Sequence, residues 1–233
     1  PMKKLVAVIV IALVVASVVW VIVRVQLAKR IATVPELLPK TTLLLVEVPD
    51  FQKLRTDWHE SDLYKIWREP SVQEWLRKPL AQLPENRAGA QRLEEFLRLK
   101  PKHGFFALTS LEKNEPKLIG GFHFGANPDK AREFIDQREA ELLSRTPRGT
   151  RQTIMHEQHQ IETVQVSRFV FASVYDNEWY FASNDVAILK ALLDRVDRRR
   201  VKEQVSLADN AAFAAAAKHL PRGYGGMVFF DPR

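Results

Sequence analysis

Cysteine is absent from the 233 residues. That excludes disulfides, thiolate metal sites, iron–sulfur clusters and cysteine nucleophiles, and leaves the redox compartment undecided. Glycine is scarce, at nine residues. Its one local concentration, Gly223-Tyr224-Gly225-Gly226, runs into an apolar strand. A phosphate cradle needs a glycine loop before a helix, so this segment reads as a bend. No G-x-S-x-G occurs and no acid–histidine–serine arrangement is readable. Acidic residues are missing from the first 30 positions, which hold five cations: Lys3, Lys4, Arg24, Lys29 and Arg30. The formal charge of +7 comes largely from there, because 30 cations face 28 acids in the remainder. A nearly neutral body argues against a domain built to bind nucleic acid. What is present is ordinary for a folded protein, 46% apolar and 27% charged residues, which excludes disorder.

The longest uncharged run is Leu5 to Val23, 19 residues. As a helix it spans about 28 Å at 1.5 Å per residue, close to the hydrocarbon thickness of a bilayer. Trp20 sits where an indole prefers the interface, and Arg24 can snorkel outward. A cleaved signal peptide would have a shorter apolar region ending in small residues. Here Ala16 and Ser17 are followed by more apolar chain. The expectation is an uncleaved signal-anchor over residues 1–30, meeting the lipid bilayer through residues 5–23. The opening Met2-Lys3-Lys4 favours an N-terminus in the cytoplasm. The body is then expected on the extracytoplasmic, periplasmic side of a bacterial inner membrane, as a single-pass protein.

Residues 31–40 read as a linker, broken by Pro35 and Pro39. Thr41 to Val48 reads as a strand stopped by Pro49-Asp50. Asp50 caps a helix with Phe51, Leu54 and Trp58 on one face. Asp62 caps a second, with Leu63, Ile66 and Trp67. Ser71 to Glu74 forms a capping box for a third, with Val72, Trp75 and Leu76. A fourth covers 91–99. Three of the five tryptophans fall in this stretch. The expectation is core packing of short helices on a sheet; an aromatic ligand groove is the sharper alternative.

Segments 103–111 and 117–126 read as a hairpin. Asn127-Pro128 starts a helix that buries Ala131, Phe134, Ile135 and Leu142. Residues 151–166 alternate but are polar, an edge strand or an irregular hairpin. Segments 168–175 and 178–182 form a hairpin about Asp176-Asn177. Asn184 caps a helix carrying Val186, Leu189, Leu192 and Val196. Asp209 or Asn210 starts the last helix, and 225–231 is a closing strand. This order predicts an α+β fold, with a mainly antiparallel sheet covered by helices on one face, over 41–233.

Leu43 to Asp50 and Gly226 to Pro232 echo one another as apolar strands ending in an Asp/Pro pair. A helix follows the first copy at once. The echo suggests a second unit beginning near Asp231, and so a domain truncated at its C-terminal end.

Side chains that could carry chemistry are scattered. His156 and His159 are spaced i, i+3, whereas a helical zinc motif needs i, i+4. In a continuous strand the two point to opposite faces. His123 alternates away from Phe122 and Phe124. The basic run Arg198, Arg199, Arg200 and Lys202 follows a helix C-terminus, where cations complement the dipole. It is a solvated helix end, or a contact for an anionic headgroup or acidic partner. No catalytic set, metal site or cofactor is expected.

The sequence Pro39-Lys-Thr-Thr-Leu-Leu-Leu-Val-Glu-Val-Pro-Asp-Phe51 resembles the opening of a bacterial family, domain-of-unknown-function family 3352. Ser61 to Trp75 is similar to that family's L-x-x-L-x-x-(D/E)-P-x-V-x-x-(F/W) stretch. Ser206-Leu-Ala-Asp-Asn-Ala-Ala-Phe213, Leu220-Pro221 and Val228 to Asp231 resemble its later segment. The likeness covers most of 36–233. It implies an envelope-anchored or exported protein, often longer than this chain, and it supplies no catalytic residues. The function expected is a non-enzymatic binding or assembly module with an envelope protein partner. An envelope hydrolase, or a subunit of a secretion or envelope complex, is the alternative.

Overall fold

The computed structural model describes residues 32–82, 94–112, 115–125, 128–144, 149–166, 169–197 and 205–232. The chain divides into two units, Pro1–Thr33 and Val34–Arg233. Of the first, only Ala32 and Thr33 are described, so the anchor segment with Leu5, Trp20, Val23 and Arg24 lies outside the described residues. Among the described residues no helix is long and apolar enough to cross a membrane.

The second unit is α+β. Eight strands form one sheet: β1 (Leu44–Val48), β2 (His103–Glu112), β3 (Glu115–His123), β4 (Thr150–His156), β5 (His159–Val166), β6 (Phe169–Asp176), β7 (Trp179–Ser183) and β8 (Met227–Phe230). The spatial order is β4-β5-β6-β7-β3-β2-β1-β8. Every neighbouring pair is antiparallel. The polar segment 151–166 is a regular hairpin, and β4 is indeed an edge, largely exposed. The two echoing segments lie side by side: Leu45 stands opposite Phe229, and Glu47 opposite Met227.

The helices are α1 (Val34–Leu37), α2 (Phe51–Glu60), α3 (Asp62–Trp67), α4 (Pro70–Gln82), a short turn α5 (94–98), α6 (Pro128–Ser144), α7 (Val186–Val196) and α8 (Ala211–Ala217). Strand β1 is shorter than the run Thr41–Val48, because Thr42 turns back to bond the Pro39 carbonyl at 2.7 Å. Asp50 caps α2 as its sequence predicts, accepting from the Gln52 and Lys53 amides at 2.8 and 2.9 Å. Three other caps differ. Ser61 rather than Asp62 caps α3, accepting from the Tyr64 amide. Helix α4 starts at Pro70, so Ser71 is already inside it; proline suits a first helical position. Asp185 caps α7, while Asn184 clasps strand β3 through the Leu118 amide and the Pro116 carbonyl, both at 2.7 Å. Asn210 caps α8. Asn127 and the Leu142 side chain lie outside the described residues.

The sheet has helices on both faces rather than one. Adjacent residues Tyr180 and Phe181 of β7 are both buried, which a strand allows only when both faces are covered. On the Phe181 face, α7 lies over β6 and β7, and α1 packs on α7. Leu38, Leu45, Leu189, Leu192, Leu193 and Leu207 are the fully buried leucines there and beside it. Each contributes about 1.5–3 kcal/mol relative to exposure. On the Tyr180 face, α6 packs Ala131 and Ile135 against Tyr180 and Phe124. Buried Glu139 of α6 accepts hydrogen bonds from the Ser173 and Tyr180 hydroxyls at 2.9 and 3.3 Å.

The tryptophan stretch does not form core. Neither α2 nor α3 contains a buried residue. Trp58, Trp67 and Trp75 are exposed, with Leu63 and Ile66 beside them. Amphipathic spacing marks an apolar face, but a sheet face is needed to bury it, and α6 occupies that position over β6 and β7.

Gly121 sits where the Phe181 and Phe105 rings and the β7 backbone converge. A Cβ there would lie 2.5 Å from the Phe181 ring and 2.9 Å from the Tyr180 carbonyl. At Gly226 a Cβ would meet nothing closer than 3.5 Å. Gly121→Ala should therefore cost about 1–3 kcal/mol in urea unfolding. Gly226→Ala should stay within about 0.5 kcal/mol of the parent. Equal midpoints for the two variants would contradict this packing.

Candidate functional site

The sheet register gathers four of the six histidines into one rank at one end of the Phe181 face. His103 stands opposite His123, and His123 opposite Trp179. Trp179 stands opposite Asp176, and His156 opposite His159. His159 and Asp176 approach across β5 and β6 at 3.6 Å.

Each imidazole holds a carboxylate. His103 Nε2 lies 2.9 Å from Oε1 of buried Glu47. His123 Nε2 lies 2.9 Å from Glu178, and its Nδ1 accepts from the Gly125 amide at 3.4 Å. His156 Nε2 lies 2.9 Å from Asp194, and His159 Nε2 3.0 Å from Asp197. Asp194 lies in the last turn of α7 and Asp197 is its C-cap, so two histidines of one hairpin end grip one helix end. His156 and His159 thus share a face, contrary to the reading of a continuous strand. A two-residue turn, Glu157-Gln158, separates them, and the hairpin sets them directly opposite each other.

Trp179 is the centre of the rank. Its ring stacks on Phe181 at 5.3 Å and meets His103 and His123 edge-on at 5.1 and 5.5 Å. Burial pushes the His123 pKa below its ordinary value, against the pull of Glu178. Burial pushes Asp176 upward, with His159 opposing and Asp197 adding. Burial raises the Tyr224 hydroxyl to about 12, with Glu47 adding to the effect. Among the described residues no group of three or more histidines and acids is placed to hold a metal ion.

The second feature is apolar. Trp75 is 73% exposed, Leu63 66% and Ile66 50%. On the Tyr180 face, a groove of about 350 Å³ lies between Phe51, Phe96, Phe106, Phe122, Val46 and Val48. Gly104 and Gly120 form its floor, and the Phe51 ring lies against Gly104. Phe106, Val228 and Phe230 extend this apolar surface toward the β8 edge, all exposed. None of Trp58, Trp67 and Trp75, for which an aromatic groove was weighed from the sequence, lines this groove; its aromatic walls are phenylalanines.

The predicted basic contact, Arg198, Arg199, Arg200 and Lys202, lies outside the described residues. Arg195, just before it, points inward: its Nη1 donates to the Leu37 carbonyl at 3.2 Å. The histidine rank carries no signal in the sequence, because its members are spread over 103–179. Only the strand register joins them.

No family model, curated protein or solved structure matches the chain.

The lowered His123 pKa gives a signed prediction. A depressed folded pKa means the unfolded chain binds the proton more readily. The contribution of His123 is complete above the unfolded value of about 6.5 and is lost as pH falls through the folded value. Stability should fall between pH 7 and pH 5, and His123→Gln should flatten that part of the curve. An unchanged slope in the variant would assign the loss to other groups.

Proposed function

We propose that this chain is a membrane-anchored, extracytoplasmic binding or assembly module of the bacterial envelope, similar to the family of unknown function named above. Leu5 to Val23 supplies the anchor, an uncharged run of 19 residues with basic flanks. The folded unit docks an envelope protein through the apolar surface of α2 to α4 and the neighbouring groove. The observation that carries this reading is the exposure of Trp58, Trp67, Trp75, Leu63 and Ile66 on helices α2 to α4, the first two of which bury no residue of their own. Exposed aromatic clusters of this kind mark interaction sites, and tryptophan is the residue most enriched at binding hot spots.

The histidine rank favours the hydrolase alternative only at one point. Glu47 and His103 form a buried carboxylate–imidazole pair of the kind used in acid–base chemistry. The other three pairs tie turns and helix ends together. Hydrolytic activity that survives Glu47→Gln and His103→Gln would remove this pair as its source.

Two measurements test the proposal. Alkaline phosphatase fused after Arg233 should be active and green fluorescent protein dark; removal of residues 1–30 should release the rest as soluble protein. A photoreactive residue at Trp75 should give one discrete crosslinked band in cells. Trp58→Glu with Trp67→Glu should abolish the band while shifting stability by no more than about 0.5 kcal/mol. A fluorescent, phosphatase-inactive fusion would sink the topology, and a band that persists in the double variant would sink the docking surface.

A further inference from the structure

The ladder between β5 and β6 stops at the pair Glu162 and Ser173. Yet β5 stays paired with β4 back to His159, and β6 with β7 out to Asp176. The two hairpins therefore diverge toward their turns, Glu157-Gln158 and Asn177-Glu178. Between them lies a polar cavity of about 550 Å³, a volume typical of small-molecule sites. Tyr175 and Glu162 line it from one face of the sheet, and His159 and Asp176 from the other. The cavity is therefore lined from both faces of the sheet, at the point where the ladder ends.

On the Tyr175 face it carries Arg132 and Glu162, the latter ion-paired to Arg151, and on the other face Asp176. Arg132 of α6 lines the cavity with its guanidinium carbon 4.9 Å from the centre of the Tyr175 ring. Among the described residues it makes no ion pair or hydrogen bond. A cation–π contact of this kind uses none of the guanidinium N–H groups as donors to oxygen and leaves them for a carboxylate. On the opposite face the Asp176 side chain is 15% exposed. Its contacts are long and both fall on Oδ1, 3.6 Å from His159 Nδ1 and 3.4 Å from Asn177 Nδ2. The His159 imidazole beside it is buried and already committed to Asp197 through Nε2. A half-buried carboxylate with only long contacts favours a strong donor.

We propose that this cavity binds a small zwitterion, an amino acid or short peptide, whose carboxylate meets Arg132 and whose ammonium meets Asp176. A simple anion would face Asp176 and Glu162. A simple cation would face Arg132. A neutral ligand would leave both poles as they are. Only a ligand carrying both charges completes both sides. The inference uses β5, β6 and α6, and stands independently of the docking surface on α2 to α4.

The test is calorimetric titration of the whole chain in detergent micelles with alanyl-alanine, glycine and lysine. Saturable one-to-one binding of at least one of them is expected. For alanyl-alanine, blocking the amine by acetylation or the carboxylate by amidation should each weaken binding about tenfold or more, the scale of a charged hydrogen bond. Arg132→Gln should erase the preference for a free carboxylate, and Asp176→Asn the preference for a free amine. The blocked peptides probe the unaltered protein, so a variant that folds poorly does not obscure the answer. Absence of binding by all three ligands at about 10 mM, a range where even weak complexes give heat, overturns the proposal. Equal binding of free and blocked peptides overturns it as well.

Discussion

Everything in this unit follows from a sheet whose inner strands are apolar on both faces. In β7, Tyr180 and Phe181 are consecutive and both buried. In β2, Phe105 and Ala107 are buried on one face while Phe106 looks out from the other. Such strands need cover above and below. The Phe181 face has it, from α1, α7, the turn at Leu207–Asp209 and α8, whose Phe213 meets Phe229 edge-on at 5.1 Å. The Tyr180 face is covered by α6 over β6 and β7. Farther along, Phe51 and Phe96 roof only a strip, and Phe106, Val228 and Phe230 stay open. Apolar area left in water forgoes about 25 cal/mol per Å². The open strip, its glycine floor and the exposed helices are therefore one consequence of unequal helical cover.

The same register creates the polar rank at the end of the opposite face. Antiparallel pairing sets residues from remote positions directly opposite each other, as with His103 and His123, or His123 and Trp179. Pairing with carboxylates is what lets these imidazoles be partly or wholly buried. The pairs also fix geometry. His156 and His159 bring a hairpin end to Asp194 and Asp197, and so tie the C-terminal end of α7 to the β4–β5 turn. Glu47 and His103 join β1 to β2 at the end from which α2 departs.

Much of the local structure was legible in the sequence. The hairpins, the Asp50 and Asn210 caps and the α+β class follow from alternation, turn residues and capping chemistry. The echo between Leu43–Asp50 and Gly226–Pro232 becomes adjacency, since strands of like composition pair as β1 and β8. What was not legible depends on tertiary choice. Asn184 and Asp185 are equally good caps; Asp185 wins because Asn184 is drawn to the β3 backbone. The face of His156 and His159 turns on whether residues 157–158 are strand or turn. Glu157 adopts φ of 55°, a left-handed conformation that makes a turn there. The tryptophans carry a helical spacing that is identical for a buried face and for an unpartnered one, so spacing alone could not separate core from interface.

The distribution of chemistry across the unit bears on how it is used. Four of its histidines are paired with carboxylates on the Phe181 face, while Trp58, Trp67 and Trp75 on α2 to α4 are turned outward. Here the apolar groove has no histidine or acid among its lining residues, and the histidines sit on the opposite face. The polar cavity at the β5–β6 opening is the exception, with Arg132 and Asp176 on its two sides. Ser173 also lines it, with its hydroxyl donating to Glu139 at 2.9 Å. The fold thus has two open features, one apolar on the Tyr180 face and one charged where the β5–β6 ladder ends.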